Sequence, residues 1–172
     1  TSATSLSWLN NGKHRSDSPE AYAAEIGGGG GISNAEALAK LYAPLANGGI
    51  VDDYRVVETA TLDKARQVSM ATGVDNTLRM PTRFGLGFMR TMDNRHREMG
   101  HVESFIAGEQ AFGHVGAGGH IGFADPAEKL AFGYTMNRMG AGLMLNERGQ
   151  SLIDATYQVL GYHNSDAGFW VK

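Results

Sequence analysis

The sequence contains no cysteine. That removes a disulfide framework, a thiolate nucleophile and any zinc site built on Cys ligands. Exported and cytosolic proteins both do without Cys, so the compartment stays open. Charge is also sparse: 19% of the residues are Asp, Glu, Lys or Arg, and the formal net charge is −3. This balance supplies no basic field for nucleic-acid phosphates or an anionic membrane face, so it nominates no polymer partner. A small neutral substrate fits better. No apolar run approaches the roughly 18–20 residues that span a bilayer, and Thr1 to Asn11 lack a basic flank leading into an apolar stretch. What the chain does have is enough apolar material for one core, with 42% hydrophobic residues in 172. It is also rich in glycine, with 24 residues against an average of about 7%. These cluster at Gly27–Gly31, Gly48–Gly49, Gly85–Gly87, Gly113–Gly122 and Gly140–Gly142, which predicts tight turns and close backbone approach.

Along the chain, Thr1 to Glu25 reads as an irregular lead-in with a short helix near Pro19 to Ile26. Ser33-Asn34-Ala35-Glu36 has the capping-box pattern and predicts a helix start with Ser33 as the cap. Leu38, Leu41, Tyr42 and Leu45 then fall on one buried face, and Asn47-Gly48-Gly49 supplies the stop. A second helix is predicted from about Thr59 to Met70, with Leu62, Ala65, Val68 and Ser69 on one face. Phe84, Leu86 and Phe88 alternate as in a half-buried strand. Further strands are expected at Gln110–His114, His120–Ala124 and Leu130–Met136, the last two joined as a hairpin by the turn Asp125-Pro126-Ala127-Glu128. Asn146 is the expected N-cap of a closing helix bearing Leu152, Ile153, Val159 and Leu160, ended by Gly161. Helices, then an antiparallel meander of four strands, then a third helix covering one face give an α+β order. No repeat and no second domain is visible.

The segment Phe112 to Pro126, followed by Leu130 to Met139, resembles the third conserved motif of the class C β-lactamase and penicillin-binding-protein-like serine hydrolases. Gly29 to Gly49 resembles that family's glycine turn and following helix, and Pro81 to Phe88 the strand entering its sheet. The resemblance implies the antiparallel-sheet portion of a β-lactamase/transpeptidase-like fold with flanking helices. Residues 1–172 would form a single partial domain, incomplete without an N-terminal half that should precede Thr1. In such enzymes the site is built from Ser-x-x-Lys, Tyr-x-Asn and Lys-Thr-Gly or a replacement. Here His114 stands where the motif has Lys, as in esterase-like branches, with Val115 and Gly116 after it. The Ala117 amide matches one side of the oxyanion hole. The resemblance thus implies His114, Gly116 and Ala117 as catalytic positions and Val115, Gly118 and His120 as substrate-binding ones, with no cofactor. No Ser is followed by Lys three residues on. Thr61-Leu62-Asp63-Lys64 has that spacing in a surface-type helix, and Tyr162-His163-Asn164 matches Tyr-x-Asn literally but after the third motif, out of order.

Rival constellations are weaker. His96, His101, His114 and His120, with Glu98, Glu103 and Glu109 between them, fit no familiar zinc spacing. The Gly27–Gly31 run lacks the Gly-Lys-Ser/Thr ending of a phosphate loop. Asp125 reads as turn chemistry, and Asp93 to Glu98 as a solvated loop. The resemblance implies that the chain is part of a serine hydrolase, of an esterase-like branch, acting on ester, amide or β-lactam carbonyls, partnered by the missing half and inactive alone. The alternatives are a non-catalytic fragment or subunit, or an edge-strand peptide-binding module.

Overall fold

The structure, a computed structural model, describes Ser2, Ser5, Arg15 and residues 17–96 and 104–172. Its centre is a six-stranded antiparallel sheet in simple sequential order. The strands are β3 (Met70–Thr72), β4 (Thr82–Phe84), β5 (Met89–Arg90), β6 (Phe112–Gly116), β7 (His120–Asp125) and β8 (Leu130–Tyr134). A separate hairpin pairs β1 (Ile50–Val51) with β2 (Tyr54–Arg55). Four helices are described: α1 (Pro19–Tyr22), α2 (Ala35–Ala46), α3 (Thr59–Arg66) and α4 (Glu147–Val159).

The sheet is covered on both faces, and strand alternation decides which residues go where. On one face Val115, Ile121 and Phe123 pack with Ile153 and Tyr157 of α4, and with Phe105, Ile106 and Trp170. On the other, Phe112 and Ala124 pack with Tyr42 and Ala46 of α2. Gly122 and Gly133 are cross-strand partners on β7 and β8, and they let α2 come very close. A Cβ on Gly133 would lie 2.3 Å from the Ala35 carbonyl oxygen, and one on Gly122 would lie 2.5 Å from Tyr42 Cε2.

The predicted helix face is met at Leu38, Tyr42 and Leu45, which pack with Phe112 and Ala124, and corrected at one position: with the backbone beside Ala35 and Ala39 against Gly133, Leu41 is left 66% exposed. The cap is Asn34, which accepts from the Ala37 amide at 2.9 Å, rather than Ser33. Glu36 pairs forward with Lys40 at 2.7 Å instead of reaching back.

The second helix ends at Arg66, not Met70. Its last carbonyls are taken by distant partners: the Leu86 amide reaches the Ala65 oxygen at 2.8 Å, and the Arg90 guanidinium reaches the Arg66 oxygen. The chain then leaves as β3, with Met70 paired to Phe84. The expected strand through Phe84, Leu86 and Phe88 ends at Phe84, and Gly85 to Phe88 is a hairpin turn, since Phe84 pairs with Met89, Gly87 takes φ +82 and Leu86 sits at the tip, 63% exposed. On α4 the predicted stripe rotates: Ile153 and Tyr157 are fully buried, while Leu152 and Val159 are exposed. The three expected strands of the meander are present with ends shifted by one or two residues. No described helix is long and apolar enough to cross a membrane.

Candidate active site

His114 lies on β6, on the sheet face shared with Phe112 and therefore with α2. Tyr42 of α2 packs on that face beside Phe112. Burial pushes the Tyr42 phenol up to about 12, with a backbone hydrogen bond at His114 pulling the other way, so the phenol remains protonated at neutral pH. The His114 side chain is exposed. Its Nδ1 donates to the Val115 carbonyl at 2.6 Å, since a carbonyl can only accept; in the neutral ring this leaves Nε2 as an acceptor. The ring packs at 6.0 Å, tilted, on Phe84.

Gly116 pairs across the hairpin with His120. A Cβ at Gly116 would lie 1.9 Å from His120 Nε2, so the His120 ring covers the backbone of Gly116 on the same face as His114. Glycine at this position is what makes room for it. Val115 points the other way, its side chain buried in the α4-side core, so only its backbone is left to meet a substrate.

The turn between β6 and β7 is held amide by amide. Gly119 donates to the Gly116 oxygen at 3.0 Å and Gly118 donates to the Gly142 oxygen at 3.1 Å. Gly118 and Gly119 take φ +88 and +101, where a side chain would be strained. Gly118 is buried and Ala117 half-buried. The Ala117 N–H has no acceptor among the described residues. The turn thus presents one N–H dipole, unengaged among the described residues, beside a glycine and two histidines, a donor of the kind that can meet an oxygen gaining negative charge.

The other singled-out residues lie elsewhere. Asp125 makes its expected turn bond, accepting from the Ala127 amide at 3.0 Å. It is also fully buried at the end of β7 opposite His120. Tyr162 donates to Glu128 at 2.7 Å, beside that same far turn, so the out-of-order Tyr-x-Asn match is remote from His114. The Asp93 loop is not simply solvated, because Asp93 is largely buried and pairs with Arg95 at 2.7 Å. Arg97, Glu98, His101 and Glu103 lie outside the described residues. Among the described residues no three His, Asp or Glu side chains are grouped to hold a metal.

Sequence reasoning placed Tyr42 on a buried helix face but not against β6 and β7, and saw Asn146 only as a helix cap. The available signal for Tyr42 was the glycine on each of two successive strands, Gly122 and Gly133, which marks where a helix can settle on a sheet.

Residues 3–156 match the family described as Beta-lactamase. The esterase/beta-lactamase LipL of Mycobacterium tuberculosis is 32% identical over 124 residues, which is 72% of this chain and 26% of that protein. A family VIII carboxylesterase structure aligns at a TM-score of 0.60 with 31% identity, over 73% of this chain and 31% of the other. A penicillin-binding protein homolog from Caulobacter crescentus aligns at 0.60 with 33% identity, over 72% and 31%. EstA from Arthrobacter nitroguajacolicus Rue61a aligns at 0.67 with 25% identity, over 85% and 37%. The chain therefore spans about a quarter of its curated relative and about a third of the solved ones.

Proposed function

Because this chain belongs to the Beta-lactamase family, we propose that it forms the oxyanion side, carried on β6 and the turn after it, of a serine hydrolase that attacks ester, amide or β-lactam carbonyls through an acyl-enzyme. Its His-Val-Gly triplet favours esterase-like chemistry. The observation that carries the reading is the Ala117 N–H, without an acceptor among the described residues, held on a turn whose neighbouring amides, Gly118 and Gly119, are both engaged. As the acyl carbonyl becomes tetrahedral, this amide stabilises its oxyanion, an interaction typically worth about 2.7–4 kcal/mol. His114 Nε2 accepts a hydrogen bond at the rim of the site, and His120 and Gly118 shape the floor under the substrate.

Residues 1–172 constitute one partial domain that is completed by an N-terminal half carrying the Ser-x-x-Lys nucleophile and base. The open side of the sheet supports this. β8 is an edge strand, and beside it runs an apolar groove of about 560 Å³ lined by Leu130, Phe132, Tyr134, Leu152 and Val159, with Val159 88% exposed. An unpaired edge flanked by exposed apolar side chains is unfavourable unless covered. The same edge supports a second reading, in which β8 pairs with an extended peptide.

Coexpressing this chain with the N-terminal half separates the two. An active complex is expected, and Ala117→Pro, which removes the N–H, should lower its turnover by about 10²–10³. His114→Ala should cost roughly 10²–10⁴ if His114 moves a proton, and less if it only orients the site. Wild-type turnover in both variants rejects the oxyanion assignment, and an inactive complex favours the peptide-binding reading.

A further inference from the structure

The turn that carries Ala117 is held from outside the hairpin as well as by its own Gly119–Gly116 bond. The Gly118 carbonyl accepts two hydrogen bonds from outside the hairpin, one from the Gly140 amide at 2.9 Å and one from Asn146 Nδ2 at 2.8 Å. The other end of the same side-chain amide, Asn146 Oδ1, caps α4 by accepting from Gly149 N–H at 3.4 Å. The fit around this amide is tight: a Cβ on Gly119 would lie 2.2 Å from Asn146 Nδ2, and a Cβ on Gly140 would lie 2.3 Å from it. Three separate pieces of chain meet at one planar group: the β6–β7 turn, the segment through Gly140 and the first turn of α4.

We propose that Asn146 is a positioning residue for the oxyanion amide, fixing the plane of the turn that presents the Ala117 N–H by locking the Gly118 carbonyl to the start of α4. This rests on the reading of Ala117 given above. A carboxamide can do both tasks at once because it carries a donor and an acceptor on one rigid plane. Ser, Asp and Asn cap helices about equally well, so capping alone would not require Asn, whereas reaching the Gly118 oxygen requires its Nδ2. Losing that bond leaves the Gly118 carbonyl to the Gly140 amide alone, and the direction of the Ala117 N–H drifts with the loosened turn. Misplacement of a reacting group by about 1 Å can cost on the order of 10²-fold in rate.

Asn146→Ser separates the two tasks, because Ser keeps a cap acceptor and is too short to hold Gly118. In the full-length enzyme it is expected to lower kcat for a p-nitrophenyl ester by roughly 10- to 100-fold. KM should stay within about twofold and the thermal midpoint nearly unchanged, because substrate binding and the helix cap are both retained. Asn146→Asp, which keeps the shape but turns the donor into an acceptor facing a carbonyl, is expected to be at least as impaired. In amide hydrogen exchange, Gly119 and Gly140 should lose protection in Asn146→Ser while the body of α4 keeps it. Wild-type kcat in Asn146→Ser beside a disabled Ala117→Pro enzyme overturns the role of Asn146 alone. Wild-type kcat in both overturns the oxyanion reading as well. A parallel fall of kcat, midpoint and α4 protection also overturns the proposal, since it reduces Asn146 to a helix cap.

Discussion

The phenol of Tyr157 donates a 2.6 Å hydrogen bond to Asp125 Oδ2, and both side chains are fully buried. The bond pins α4 to the far end of β7. Tyr157→Phe would leave a buried carboxylate oxygen without its partner, at an expected cost of roughly 1–3 kcal/mol in urea denaturation. Tyr162→Phe, which removes a bond to the less buried Glu128, should cost less. An equal or larger loss in Tyr162→Phe would contradict this ranking.

The response of stability to pH should carry two opposing contributions. Desolvation pushes the Asp125 carboxyl above its ordinary value, against the Tyr157 hydroxyl and the Ala127 amide. A raised native value means that the folded state holds its proton longer. This group's contribution is therefore full below the unfolded value and lost as pH rises through the native one. At Asp75 desolvation is outweighed by the Leu78 and Thr77 amides and the Thr82 hydroxyl, and the carboxyl lies below its ordinary value. Its contribution is present above the unfolded value and lost as pH falls through the native one. Asp125→Asn should widen the gap in unfolding midpoint between neutral pH and about pH 3, and Asp75→Asn should narrow it. The opposite signs would show that desolvation does not dominate at Asp125.

Gly133 should tolerate no side chain. An added Cβ meets the Ala35 oxygen at 2.3 Å and the Ala39 nitrogen at 2.8 Å, and this helix backbone can yield only by lifting α2 from the sheet. Gly133→Ala is expected to destabilise by about 1–3 kcal/mol. Gly31→Ala, where nothing among the described residues lies within 4 Å of an added Cβ, should stay within about 0.5 kcal/mol. Similar midpoints for the two variants in thermal denaturation would refute the close seating of α2.

By itself the chain should form no acyl-enzyme, because none of its Ser residues has a Lys three positions on. Incubated with a fluorophosphonate, it is expected to keep its unmodified mass. Stoichiometric labelling of any Ser would mean that the nucleophile had been sought in the wrong half of the fold.

The sequence by itself determined what depends on neighbours along the chain. Asp125-Pro126 turns β7 into β8 because a short carboxylate can bond the Ala127 amide two residues on. Asn146 starts α4, and Gly161 ends it at φ +84, because caps are local chemistry. The glycine-rich run Gly113 to Gly122 marked the β6–β7 turn for the same reason. Where the deciding partner was distant, the sequence offered no measure of it. The second helix stops at Arg66 because Leu86 and Arg90 take its last carbonyls, and nothing within Thr59 to Met70 signals that. Leu41 and Val159 satisfy the helical period yet face outward, because the period fixes a stripe's spacing and not its rotation against a sheet. Only the tertiary structure joins Asn146 to Gly118, 28 residues away, and Tyr157 to Asp125, 32 residues away. Such pairs form when the packing of helices on both sheet faces brings polar groups together out of water, where each must find a partner.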